Sequence, residues 1–118
     1  TANWRLIRSL DPLLRLSGAG RAMFVTSGVT EGVPPAYWSA YTASKAGLEA
    51  LVRTYAAELK RTNLKVNIID PGTAATNMRA EAFPGEDPNT LAAPDDITER
   101  FVELAEVSCG ESGGKVFV

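Results

Sequence analysis

The chain has 118 residues, 45% apolar and 22% charged, which suits a packed core within one domain or part of one. Twelve basic against fourteen acidic residues leave a net charge of −2, so no basic footprint for nucleic acid is present. No apolar run approaches the ~18 residues of a membrane span, and no basic-then-apolar leader opens the chain, so the expected compartment is the cytoplasm. Cys109 stands alone and histidine is absent, which excludes an internal disulfide, a thiolate-rich zinc site and every imidazole mechanism. Proton chemistry must come from Asp, Glu, Lys or Tyr.

Trp4, Ile7, Leu10 and Leu14 recur at helical spacing, with Leu6 and Leu13 beside them, and predict a helix over 2–17. Pro12 inside this pattern predicts a kink or a short second helix with the proline in its first turn. Ser17-Gly18-Ala19-Gly20 stops the helix, and the apolar run at 22–27 predicts a buried strand. Residues 28–37 hold two glycines and Pro34-Pro35 and read as a loop. A long helix follows from Ser39 to Arg61, with Leu48, Leu51, Val52, Tyr55, Ala56 and Leu59 on one apolar face. Leu64 to Ile69 predicts a second strand, ended by Asp70-Pro71-Gly72. Residues 73–93 read as irregular. Pro94-Asp95-Asp96 opens a further helix burying Ile97, Phe101, Leu104 and Ala105, and Gly113-Gly114 turns into a final strand, Lys115 to Val118. Strands separated by helices predict an α/β fold with a three-stranded parallel sheet and three main helices on its faces.

Two glycine pairs resemble phosphate loops and fail on context. Gly28-x-x-x-Gly32 is followed by prolines instead of a helix N-terminus, and Gly18-x-Gly20 leaves a helix to enter a strand. Tyr41-Thr42-Ala43-Ser44-Lys45 is more informative. Residues four apart on a helix share a face, so the phenol and the ammonium can enter one site, where a positive charge favours phenolate. A tyrosine so placed can serve as the general acid or base that a histidine-free chain needs. Ser27 ends a strand, Pro71-Gly72 ends the next with Thr76 soon after, and ligands of open α/β sheets bind beyond such carboxyl ends. Trp38, Met78 and Phe83 lie near the loops of this crevice, as pocket wall or as ordinary packing. Cys109 reads as a small hydrophobe, and Asp95, Asp96 and Glu99 as helix-start electrostatics without a metal.

Phe24-Val25-Thr26-Ser27, then Tyr41-Thr42-Ala43-Ser44-Lys45-Ala46, then Val66-Asn67-Ile68-Ile69-Asp70-Pro71-Gly72 with Thr76, resembles the short-chain dehydrogenase/reductase family. The resemblance implies a Rossmann-like doubly wound parallel sheet, of which residues 1–118 form the C-terminal half, the N-terminal dinucleotide-binding half being absent. It implies hydride transfer between NAD or NADP and a small-molecule carbonyl or alcohol. Tyr41 would be the catalytic acid/base, Lys45 its electrostatic partner and a holder of the nicotinamide ribose, and Ser27 the substrate-positioning hydroxyl. Pro71, Gly72 and Thr76 would lie along the nicotinamide. The family's glycine-rich loop and the residue choosing NAD or NADP belong to the missing half. Its further catalytic asparagine is expected upstream of Thr1, and Asn3 does not fill that place. The interval from Ser27 to Tyr41 is slightly longer than usual. The small-residue face at Ala43, Ala46, Gly47 and Ala50 and the leucine-rich face at 4–14 imply a homo-oligomer. The competing expectation is a non-catalytic assembly or binding remnant of such an enzyme.

Overall fold

The computed structural model describes residues 1–118. Helix α1 (Ala2–Leu16) leads to strand β1 (Arg21–Val25), helix α2 (Ser39–Glu58) and strand β2 (Lys65–Asp70). Helices α3 (Asn77–Ala82) and α4 (Thr98–Ala105) then precede strand β3 (Lys115–Phe117). The sheet order is β1-β2-β3 and both pairings are parallel, with Val25 beside Ile69 and Ile69 beside Val116.

The middle strand explains its own composition. β2 is covered on both faces, so Val66, Ile68 and Ile69 are all buried instead of alternating with polar residues. Asn67 is buried among them because its amide is satisfied, donating to Glu111 O at 2.8 Å and accepting from Gly114 N–H at 3.4 Å. On one face, Leu48, Val52, Tyr55, Ala56 and Leu59 of α2 and its end pack on Leu64, Val66 and Ile68. On the other, Leu104 of α4 meets Ile69 and Val116, with Met23, Phe101 and Cys109 against them. Arg21 pins the segment after α4 to the start of β1, its guanidinium donating to Glu106 O, Val107 O and Cys109 O at 2.9–3.2 Å.

Residues 73–93 and the start of α4 depart from expectation, and α1 adds detail to what was expected of it. Pro12 neither starts a new helix nor ends the first: α1 runs through it. The proline removes one backbone bond, and side chains hold the turn instead. Arg15 Nε lies 2.9 Å from both Asp11 carboxylate oxygens, and Tyr55 Oη donates to Asp11 Oδ1 at 2.6 Å. That Tyr55 bond, with Arg15 beside it, keeps the Asp11 carboxyl below its ordinary range. Only Ile7 and Leu14 of the α1 stripe reach the core, whereas Leu6 and Leu13 are more than half exposed. Residues 73–93, expected to be irregular, are ordered by α3, a six-residue helix beside the three main ones, and by a parallel bridge between Ala74 and Ala92. Finally, α4 begins after a short 3-10 turn over Pro94–Ile97, and Ala105 is exposed.

Candidate active site

Parallel strands of one sheet end on the same side, so the loops after β1 and β2 share a rim. Thr26 N–H donates to Ile69 O at 2.9 Å, carrying the pairing up to Ser27. Just beyond, a Cβ at Gly28 would lie 3.7 Å from Asp70 Oδ2. The chain on either side of Ser27 thus runs along Ile69 and Asp70, at the end of β2.

Ser27 enters a single 3-10 turn, Gly28–Thr30, and its Oγ accepts from Val29 N–H at a long 3.5 Å. Its own hydroxyl proton is left to donate elsewhere. Tyr41 and Lys45 occupy successive turns of α2 on one face. Lys45 Nζ donates to Val25 O at 3.1 Å and lies 5.8 Å from the centroid of the Tyr41 ring. One bond thus ties the start of α2 to the last residue of β1, two positions before Ser27. An ammonium has three donors, so two remain after Val25. Tyr41 is 36% exposed and open to a ligand.

After β2, Asp70 Oδ1 accepts from Gly72 N–H at 3.0 Å and shapes the turn. Gly72 has φ of +68°, a left-handed conformation that favours glycine, and a Cβ there would meet nothing within 4 Å. The backbone is bare on that side. Thr76 caps α3, its Oγ1 accepting from Arg79 N–H at 3.2 Å. All six sequence-derived residues stand at the carboxyl ends of β1 and β2, at the start of α2 or at the start of α3.

Two further groups of residues adjoin the site, and Glu49, Lys115, Arg79 and Glu86 among them escape the sequence reading. Behind Ser27, the buried Glu49 of α2 accepts through Oε1 from Thr26 Oγ1 and Thr30 Oγ1, both at 2.6 Å, and from Lys115 Nζ at 3.0 Å. Burial opposes the charge, but these three donors outweigh it and hold the Glu49 carboxyl down at about 2. Burial opposes the charge of Lys115 as well, and the Glu31 and Glu49 carboxylates overcome it, raising the ammonium above its ordinary range. The loop that follows Ser27 is thereby fastened to α2 and β3 at once. A sequence signal existed: Glu49 falls beside Leu48 and Val52 on the apolar stripe, where a charge needs partners.

The second group flanks Tyr41. The Trp38 ring meets Tyr41 edge-on, centroids 5.7 Å apart and planes at 85°, and lies 5.8 Å from Phe83. Arg79 sits over Phe83 at 3.8 Å and is held by Glu86 through two bonds of 2.7 and 2.9 Å. A cavity of about 300 Å³ opens beside it, lined by Thr76, Ala80, Phe83 and Leu91 among others. The Thr76 cap before a run of helix formers was the readable sign of α3. The pairing of Arg79 with Glu86, seven residues on across Pro84-Gly85, had none.

No helix is long and apolar enough to cross a membrane. A family model described as short chain dehydrogenase matches residues 1–87. The uncharacterized oxidoreductase YciK of Escherichia coli is 42% identical over 104 residues, covering 87% of this chain and 40% of that protein. An NADPH-dependent aldehyde reductase-like protein of Arabidopsis thaliana is 40% identical over 78 residues, 66% of this chain and 27% of that protein. A solved short chain dehydrogenase of Salmonella enterica superposes with a TM-score of 0.91 at 38% identity, covering 98% of this chain and 48% of that one. Another, from Escherichia coli and complexed with NADPH, gives a TM-score of 0.90 at 38% identity over the same shares. The chain spans less than half the length of each of these proteins. Its sequence, its parallel sheet and these likenesses agree: the chain belongs to the short-chain dehydrogenase family and carries part of that family's Rossmann fold.

Proposed function

We propose that residues 1–118 are the C-terminal half of an NADP-dependent reductase that interconverts a small carbonyl and its alcohol. The observation that carries this reading is the Lys45 ammonium, tied to Val25 O at 3.1 Å and 5.8 Å from the Tyr41 ring, at the strand end that leads into Ser27. The residues fit the nicotinamide side of a dinucleotide. Gly72 offers bare backbone, Lys45 keeps two donors for ribose hydroxyls, and Pro71 and Thr76 flank the same rim. NADPH, when bound, supplies the hydride. Tyr41 Oη gives its proton to the carbonyl oxygen and recovers it in the reverse direction. Ser27 donates its free hydroxyl proton to the same oxygen and fixes the carbonyl's orientation. Lys45 keeps a positive charge beside the phenol throughout. Glycine-rich pyrophosphate recognition falls to a segment outside residues 1–118. The assembly is a homo-oligomer built on the exposed apolar faces of α1 and α2, acting in the cytoplasm.

In the full-length protein, Tyr41→Phe should reduce kcat/KM for carbonyl reduction by at least ~10²-fold, the lower range of general acid–base contributions. Lys45→Met should be comparably harmful and should move the pH profile. Steady-state rates for Tyr41→Phe within about threefold of wild type would refute this assignment.

A further inference from the structure

We propose that the site selects uncharged carbonyls carrying a flat apolar group, and that Trp38 is the residue that selects them; the inference rests on the reductase reading above and deepens it. Trp38 bridges Tyr41 and Phe83, so the ring beside the proton donor is itself backed by a second ring. Phe83 is held in place. Phe83 is covered by Arg79 at 3.8 Å, Arg79 is fixed by both oxygens of Glu86, and the helix carrying Arg79 is capped by Thr76. On the other side, Tyr37 takes a left-handed φ of +68°, rare for a side chain of its size, and turns the chain into Trp38. The result is a rigid aromatic wall whose ends stay accessible, Tyr41 at 36% and Phe83 at 37%.

The charges around the wall set the other half of the preference. Arg79 is neutralised by Glu86 in a bidentate pair, and Lys45 is engaged by Val25 O and directed to the catalytic corner. Of these two cations, Arg79 is paired and Lys45 points to the catalytic corner, so a substrate carboxylate or phosphate set against the rings would meet neither. Such a group would be desolvated against rings without a partner, which is costly. An aryl group gains both burial and ring–ring contact there.

The test uses the full-length protein with NADPH and three aldehydes: benzaldehyde, acetaldehyde, and benzaldehyde bearing a para-carboxylate. Benzaldehyde should exceed both others in kcat/KM by roughly tenfold or more, the scale of one aromatic contact plus its burial. Trp38→Ala should collapse the ratio of benzaldehyde to acetaldehyde toward one, and Trp38→Phe should retain most of it. Independently of turnover, benzaldehyde should quench tryptophan emission in the wild type and much less in Trp38→Phe. A ratio untouched by Trp38→Ala, a preference for acetaldehyde or the carboxylate, or turnover without any quench would overturn the inference. A quench without NADPH consumption from any aldehyde would instead contradict the reductase reading and leave the aryl site standing.

Discussion

Glu49 shows how one buried carboxylate can hold a site without entering it. Its three donors come from Thr26 and Thr30 around Ser27 and from β3, so removing the charge leaves Lys115 buried with Glu31 as its one remaining charged partner and Thr30 as a neutral one. Breaking a buried pair from one side costs about 3 kcal/mol or more. Glu49→Gln should therefore lower unfolding free energy of the full-length protein by about that amount, measured by urea titration. The pH dependence has a defined sign. The folded carboxyl sits at about 2 against an ordinary value of 4.5, so its stabilisation is complete above 4.5 and lost as pH falls through about 2. Over that window the wild type should lose about 3 kcal/mol that Glu49→Gln no longer has to lose. Parallel acid-unfolding curves for the two proteins would contradict the role given to this charge.

Among the elements, the junction of α1 and β1 carries the tightest constraint. A Cβ at Gly20 would stand 2.6 Å from Leu14 O and 3.0 Å from Leu64 Cδ1. The leucine tip can rotate away, but the carbonyl belongs to the last turn of α1 and moves only with the helix. Gly20→Ala should cost about 2 kcal/mol, within the range for overpacking a fitted contact, and thermal unfolding of the full-length protein would measure it. An unchanged midpoint would mean that α1 is loosely seated. The long periodic elements were legible because their patterns report burial directly. The α2 stripe gave five of its six residues to the core, Leu48, Val52, Tyr55, Ala56 and Leu59, with Leu51 half-buried. The sharing of one α2 face by Tyr41 and Lys45, and the place of Ser27 just past β1, were legible because helical spacing and strand ends fix where side chains start. What stayed hidden depends on long-range pairing. α1 continues through Pro12, with Tyr55, 44 residues away, bracing its neighbour Asp11. The α3 lobe is closed by a bridge from Ala74 to Ala92 that no local period announces.

The whole molecule is less compact than its mass warrants. It exposes 7671 Å², whereas a globular monomer of 12.6 kDa exposes about 6,200 Å². Its radius of gyration is 15.6 Å, against about 13.5 Å for a compact chain of this length. The surplus, about 1,500 Å², is nearly twice what one partner buries in a standard protein interface. It includes the outer side of α1, where Leu6 and Leu13 are 54% and 65% exposed, and the strand edge of β1 that has no neighbour. The 118-residue chain alone should therefore self-associate, and sedimentation equilibrium should give a mass above 12.6 kDa. It should also bind NADPH no tighter than roughly millimolar if, as proposed, residues 1–118 supply only nicotinamide-side groups. A cooperative monomer with micromolar affinity would contradict both expectations. The central claim is that Tyr41 and Lys45 serve hydride exchange with a carbonyl. It is tested most directly by giving the full-length protein NADPH deuterated at the transferable position and analysing the alcohol by mass. Deuterium should appear in the alcohol with the wild type and fall at least ~10²-fold in rate with Tyr41→Phe. Alcohol without deuterium, or equal transfer by the two proteins, would contradict the account.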